Sequence, residues 1–131
     1  TDHVINYTNE DIHKRALELT NGRGVDVVVD HVGAEFFETA YKSLRPGGRY
    51  GICGVTSGYK TNLQMGTLFA RQLGIHGVFM GSKKDMEQIV EKLNDGTIQP
   101  TIHQVFKLEQ AQLAHKIMEE RTFFGKLILT N

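Results

Sequence analysis

The run Val25-Asp26-Val27-Val28-Val29-Asp30 constrains the fold of this chain more than any other stretch. It is short, β-branched and almost continuously apolar, and it lies between Asn21-Gly22-Arg23-Gly24 and His31-Val32-Gly33. Such a run reads as a strand of a parallel sheet, with helices expected on the sheet faces. The flanks carry those helices. Ahead of it, Thr8-Asn9-Glu10-Asp11 offers a polar cap and acidic first-turn residues to a helix through Ile12, Ala16, Leu17 and Leu19, which Asn21-Gly22 then stops. Behind it, Phe36 to Leu44 has helical spacing, Arg45-Pro46-Gly47-Gly48 is a turn, and Arg49-Tyr50-Gly51-Ile52-Cys53-Gly54 is a second strand.

The alternation continues to the last residues. Val4-Ile5-Asn6-Tyr7 reads as a leading strand, Leu68 to Leu73 as the end of a helix, and Ile75-His76-Gly77-Val78-Phe79-Met80 as a strand opened by Gly74. Ser82 and Asp85 have capping-box spacing before a helix through Met86, Ile89, Val90 and Leu93, and Asn94-Asp95-Gly96 ends it. Ile102 to Phe106 is a strand, Leu108 to Glu120 an amphipathic helix, and Lys126-Leu127-Ile128-Leu129 a final strand. Strands and helices in alternation imply an α/β architecture with right-handed crossovers. A chain of 131 residues can bury a core without staples, which predicts one domain.

Composition narrows the partners. Lys and Arg total 15 and Asp and Glu total 15, so the formal charge is zero and neither nucleic acid nor an anionic membrane is the expected partner. Cys53 is the only cysteine, which excludes an internal disulfide and fits a reducing, cytoplasmic setting. The chain opens at Thr1 without Met and meets an apolar run almost at once, so it reads as a piece of something longer.

In an open parallel sheet the ligand crevice lies beyond the carboxyl ends of the strands. Here those ends are Asp30-His31-Val32-Gly33, Cys53-Gly54-Val55 and Val78-Phe79-Met80-Gly81, each with a glycine that lets a ligand approach backbone. One such glycine is ordinary turn chemistry; three at the same topological position point to a site. Other chemistry finds no support. Gly22-Arg23-Gly24 lacks the third glycine of a dinucleotide fingerprint and precedes a strand, so it is a helix stop. There is no Walker loop, HExxH, CxxC or GxSxG, and the six histidines are scattered without ligand spacing. Cys53 reads as a nucleophile at a strand end or as a buried structural thiol. The thiol is expected to be buried, since no basic residue adjoins it to lower its pKa.

Asp2-His3-Val4-Ile5-Asn6-Tyr7, Gly24 through Gly33, Leu44-Arg45-Pro46-Gly47-Gly48-Arg49, Arg71-Gln72-Leu73 and Phe124 through Leu129 together resemble the medium-chain dehydrogenase/reductase superfamily, colinearly over the whole chain. Asp30-His31-Val32-Gly33, Phe69-Ala70-Arg71-Gln72 and Met80-Gly81 resemble its zinc-binding alcohol dehydrogenase-like and quinone oxidoreductase-like members. The resemblance implies an incomplete Rossmann-like three-layer sandwich with a mostly parallel sheet. It would run from the third Rossmann strand to the C-terminus, lacking the first βαβ unit and the N-terminal GroES-like catalytic domain that carries any zinc. It implies NAD or NADP as cofactor, held by His31, Val32 and Gly33, by Cys53, Gly54 and Val55, and by Val78, Phe79 and Met80.

Lys126 matches a basic position that can reach the pyrophosphate, with a surface salt bridge as its alternative, and Tyr7 a position near the adenosine phosphate, with a packed strand-end role as its alternative. No residue matches a catalytic acid, base or metal ligand. The parent would move hydride between nicotinamide and an alcohol, carbonyl, quinone or enone, and the isolated chain would be inactive. Family dimers imply a homodimer through residues 75–80, a run without Lys, Glu, Asp or Pro to guard its edge. On this reading Gly33→Val weakens cofactor binding with little thermal cost, and Val78→Pro dissociates the dimer if its N–H faces the partner. Two other classes stay open. One is a methyltransferase-like domain, suggested by the Leu44-to-Gly48 turn but without the glycine-rich loop it requires; the other is a noncatalytic interaction or assembly module.

Overall fold

The computed structural model describes residues 1–131. Length alone predicts one domain, but the chain groups into two compact units, Thr1–Met80 and Gly81–Asn131.

The first unit is built on a three-stranded parallel sheet in the order β1-β2-β3: β1 is Val25–Asp30, β2 Leu44–Ile52 and β3 Gly74–Gly77. Its helices are α1, Ile12–Leu19; α2, Ala34–Ser43; and α3, Met65–Ala70. Asp11 starts α1 by accepting from the Lys14 N–H at 2.9 Å, and the Gly22 N–H closes it on the Leu17 carbonyl at 2.8 Å. The core joins Phe37 and Tyr41 of α2 to Leu44 and Tyr50 of β2 and to Leu73, with Val25, Val28, Ile52 and Ile75 packed around them. Phe37 stacks on Tyr41 at 5.4 Å and tilts against Tyr50 at 5.1 Å. Burying each large apolar side chain of this cluster contributes about 1.5–3 kcal/mol.

Four expectations change. The strand expected over Ile75–Met80 is β3, Gly74–Gly77, and Val78–Met80 leaves the sheet after one further ladder bond from the Val78 N–H to the Ile52 carbonyl. Val4 to Asn6 pairs with no strand, and Tyr7 opens a turn in which the Asn6 side chain accepts from the Thr8 N–H and hydroxyl. An extended run without a hydrogen-bonding neighbour is not a strand. The Pro46-Gly47-Gly48 turn lies inside β2, because Leu44 already pairs with Val25 and the register then slips, so that Val27 faces Arg49. The apolar continuity of β1 is not burial on both faces. Val28 packs on the core, while Val27 and Val29 point the other way and are exposed.

The second unit contains α4, Lys83–Asn94; β4, Ile102–Lys107; a 3₁₀ turn, Leu108–Gln110; α5, Ala111–Glu120; and β5, Lys126–Thr130. The Ser82–Asp85 capping box is present in both directions, with Asp85 N to Ser82 Oγ at 3.2 Å and Ser82 N to Asp85 Oδ2 at 2.7 Å. β4 and β5 pair in parallel, and Phe106 and Ala114 are buried. No helix of the chain is long and apolar enough to cross a membrane.

Candidate functional site

The register sets the three strand ends level. Asp30 lies opposite Ile52, and Ile52 opposite Gly77. The ladder runs one step further, with Cys53 N–H to the Asp30 carbonyl at 2.8 Å and Val78 N–H to the Ile52 carbonyl at 2.8 Å. His31, Cys53 and Val78 therefore leave the sheet side by side, as the sequence predicts for a shared crevice. Val78 N–H points into the sheet, so Val78→Pro would break an internal bond and cannot test a partner contact. In a parallel strand donors alternate in direction, which turns the Ile75 and Gly77 N–H groups to the free edge.

Beyond the strands, backbone is knit to backbone. The Ser57 N–H and hydroxyl both donate to the Val32 carbonyl at 2.8 Å, and Ser57 Oγ accepts from the Glu35 N–H at 3.0 Å. A Cβ on Gly54 would stand 2.6 Å from the His31 carbonyl oxygen. One on Gly33 would stand 2.8 Å from Val55 Cα and 2.9 Å from the Gly58 oxygen, on a backbone already at φ +93°. These glycines permit one loop to lie on the next, so Gly33→Val strains the fold itself and the expectation of little thermal cost is withdrawn. Val55 is half-buried, whereas Phe79, 96% exposed, and Met80 present free side chains.

Cys53 is exposed, contrary to the buried thiol expected. Ile52 turns toward the core, so the next side chain along the strand turns away from it. The Cys53 thiol donates to the Asp30 carbonyl at 3.3 Å.

One pair that the sequence reading did not single out fixes the first of these loops. Asp30 is 6% exposed, and its carboxylate accepts from Val32 N–H at 2.7 Å, from Gly33 N–H at 3.1 Å and from the Tyr50 hydroxyl at 2.8 Å. Tyr50 is completely buried, and burial pushes its phenol pKa well above the ordinary value, with the Asp30 hydrogen bond and charge adding to the effect. An Asp closing a strand two residues before an unpaired N–H is an Asx-turn signature, which was the available signal.

Two further candidates, Tyr7 and Lys126, lie outside these loops in the sequence. Tyr7 lies exposed in the turn before α1, with its ring edge-on to Phe36 in the first turn of α2 at 5.0 Å. Lys126 opens β5 in the second unit, its N–H on the Thr101 carbonyl at 2.9 Å and its ammonium in none of the seven ion pairs. No three His, Cys, Asp or Glu side chains come together as a metal would require, so these residues do not fit a zinc site. At the strand ends the Cβ directions of Gly33 and Gly54 are taken up by neighbouring backbone, so these glycines set how closely the two loops pack.

The profile of the zinc-binding dehydrogenase family matches residues 1–129. A probable quinone oxidoreductase of Schizosaccharomyces pombe is 32% identical over 92% of this chain and 39% of its own length. An NAD-dependent alcohol dehydrogenase of Sulfolobus acidocaldarius is 30% identical over 98% of this chain and 37% of its own length. Among solved structures, an NAD-dependent alcohol dehydrogenase superposes on the whole chain with TM-score 0.86 at 41% identity, using 38% of its own chain. This chain thus spans about two fifths of the length of the relatives it matches. With parallel strands in the order β1-β2-β3, level strand ends and a profile that takes in nearly every residue, the chain belongs to the zinc-binding dehydrogenase family of the medium-chain dehydrogenase/reductase superfamily.

Proposed function

We propose that this chain forms the nicotinamide-side wall of an NAD(P) site in an oxidoreductase acting on an alcohol, carbonyl, quinone or enone. The observation that carries the reading is the level row of strand ends that leads into His31–Gly33, Cys53–Val55 and Val78–Met80, with the Phe79 and Met80 side chains exposed beside it. A bound nicotinamide would supply hydride transfer at its ring. This chain's residues would bind and orient it: the Val78–Met80 segment by main chain and the open Phe79 and Met80 side chains, and the His31–Gly33 and Cys53–Val55 loops as a close-fitting floor. We assign none of these side chains as an acid or base for the reacting atoms. The 131 residues alone are therefore expected to be inactive and to bind cofactor weakly. Lys126 and Tyr7 are proposed as contacts only secondarily, on their positions in the sequence.

The test is titration of the ¹⁵N-labelled chain with NADH and NADPH, followed by amide chemical shifts. Shifts concentrated at residues 31–33, 53–55 and 78–80 support the reading; shifts confined to other surfaces, or none at millimolar cofactor, refute it. We further propose that β3 pairs along its free edge with β3 of a second copy, extending the sheet. The edge offers Ile75 and Gly77 donors and carries no charged residue or proline to repel another strand.

A further inference from the structure

We infer that Tyr50 is a positioning residue for the proposed cofactor wall: through Asp30, its hydroxyl holds the His31–Gly33 turn in the shape that meets the ligand. The inference rests on the functional reading above for its purpose, but its physical content stands on the buried pair alone. Asp30 belongs by alternation to the core-facing side of β1, with Val28, and its carboxylate would be an unsolvated liability there without donors. Three donors meet it. Oδ1 takes the Val32 and Gly33 N–H groups, while Oδ2 takes the Tyr50 hydroxyl at 2.8 Å and shares the Gly33 N–H at 3.1 Å.

The two turn amides are flexible partners, since they move with the loop they define. The Tyr50 hydroxyl is not. Its ring is wedged in the sheet against Phe37, with no exposed surface, and β2 fixes its backbone opposite Val28 and Ile75. Tyr50 thus anchors the carboxylate to the core, and the carboxylate in turn anchors the turn. Without the hydroxyl, Oδ2 keeps only a shared amide, and the carboxylate is free to rotate and take up water. The positions of the Val32 and Gly33 amides then lose their fixed reference.

Tyr50→Phe removes one oxygen and leaves the ring packing. Hydrogen exchange of single amides, read by NMR on the full 131-residue chain, separates positioning from general stability. The expected result is exchange about tenfold faster at Val32 and Gly33, as for loss of one hydrogen bond, with the Val28 and Ile52 amides unchanged. In Asp30→Asn one amide acceptor and contact with the Tyr50 oxygen survive, so a smaller change at the same two amides is expected. Unchanged exchange at Val32 and Gly33 in Tyr50→Phe would overturn the inference. So would uniform acceleration through β1 and β2, or loss of the fold in both variants, since either makes the pair a core contact with no separate role. Where the parent chain binds NADH, Tyr50→Phe should weaken binding several-fold without moving the far-UV spectrum. A parent chain that fails to bind NADH counts against the proposed function, and the exchange data then decide the positioning role by themselves.

Discussion

Three glycine-to-alanine substitutions separate the two reasons a glycine can be required. Gly22 has φ +79° and nothing within 4 Å of a built Cβ, so Gly22→Ala meets conformational strain alone, about 1–2 kcal/mol. At Gly54 the backbone is not in the left-handed region, but the Cβ would stand 2.6 Å from the His31 carbonyl oxygen and 3.1 Å from its Cα. Those atoms belong to the neighbouring strand end and cannot rotate away, so Gly54→Ala should cost about 1–3 kcal/mol by forcing β1 and β2 apart. Gly33 carries both penalties, with φ +93° and contacts of 2.8 Å to Val55 Cα and 2.9 Å to the Gly58 oxygen, which sums to about 2–5 kcal/mol. All four tyrosines lie in the first unit, so urea unfolding followed by tyrosine fluorescence or near-ultraviolet circular dichroism reports that unit alone. The expected order of destabilisation is Gly33→Ala first, with Gly22→Ala and Gly54→Ala below it. A Gly33→Ala variant no less stable than Gly22→Ala would refute the claim that the 31–33 and 53–58 loops press on each other at this point.

Two further outcomes follow from the geometry. The Tyr50 phenol has a folded-state pKa raised above its unfolded value near 10, so its stabilisation is fully present below about pH 10 and is lost as pH rises from there toward the folded value. Tyr50→Phe should flatten the fall of stability between pH 10 and 11 by up to about 1.4 kcal/mol per pH unit, measured by urea unfolding at several pH values; parallel curves would refute it. For association, Gly77→Pro removes a donor from the free edge of β3 and should give a monomer by light scattering, while Gly77→Ala, whose Cβ enters open space, should leave the dimer intact. A parent chain that is monomeric at high micromolar concentration, or a dimer indifferent to proline, would refute edge pairing.

The elements legible in the sequence were those whose pattern is local. The apolar run at Val25–Asp30, the Asn21-Gly22 stop and the Ser82–Asp85 capping box need only their own neighbours, and each stands where periodicity and cap chemistry place it. The misreadings share another cause. Val4–Tyr7 has strand composition but no strand beside it, and composition cannot supply a ladder. Cys53 has the residue type of a buried thiol, yet its exposure follows from the parity of β2, set by which face α2 covers. Gly33 follows the end of β1 as its pattern predicts, but its loop contacts join residues more than twenty positions apart, and no local signal reveals that. The strand ends themselves were legible because topology, not side-chain detail, brings them together.

The same distance limit hid the pairing of Asp30 with Tyr50, and the placement of Asp30 says what the fold gives up for the loop. A valine at that position would suit the core-facing parity of β1 and add apolar burial worth about 1.5–3 kcal/mol. A buried carboxylate brings a desolvation penalty of several kcal/mol that its hydrogen bonds must first offset, so it is a poor device for stability. What it does supply is direction. Three donors converge on two oxygens, two of them from consecutive turn amides and one from a ring that the core does not release. A hydrophobic residue would leave the Val32 and Gly33 N–H groups without that common acceptor, and the turn would be shaped only by its contacts with the 53–58 loop. The row of strand ends would survive such a change, because the ladder from Asp30 to Ile52 and Gly77 is made by backbone. The shape of the first loop would not, and there the Asp30–Tyr50 pair has its effect.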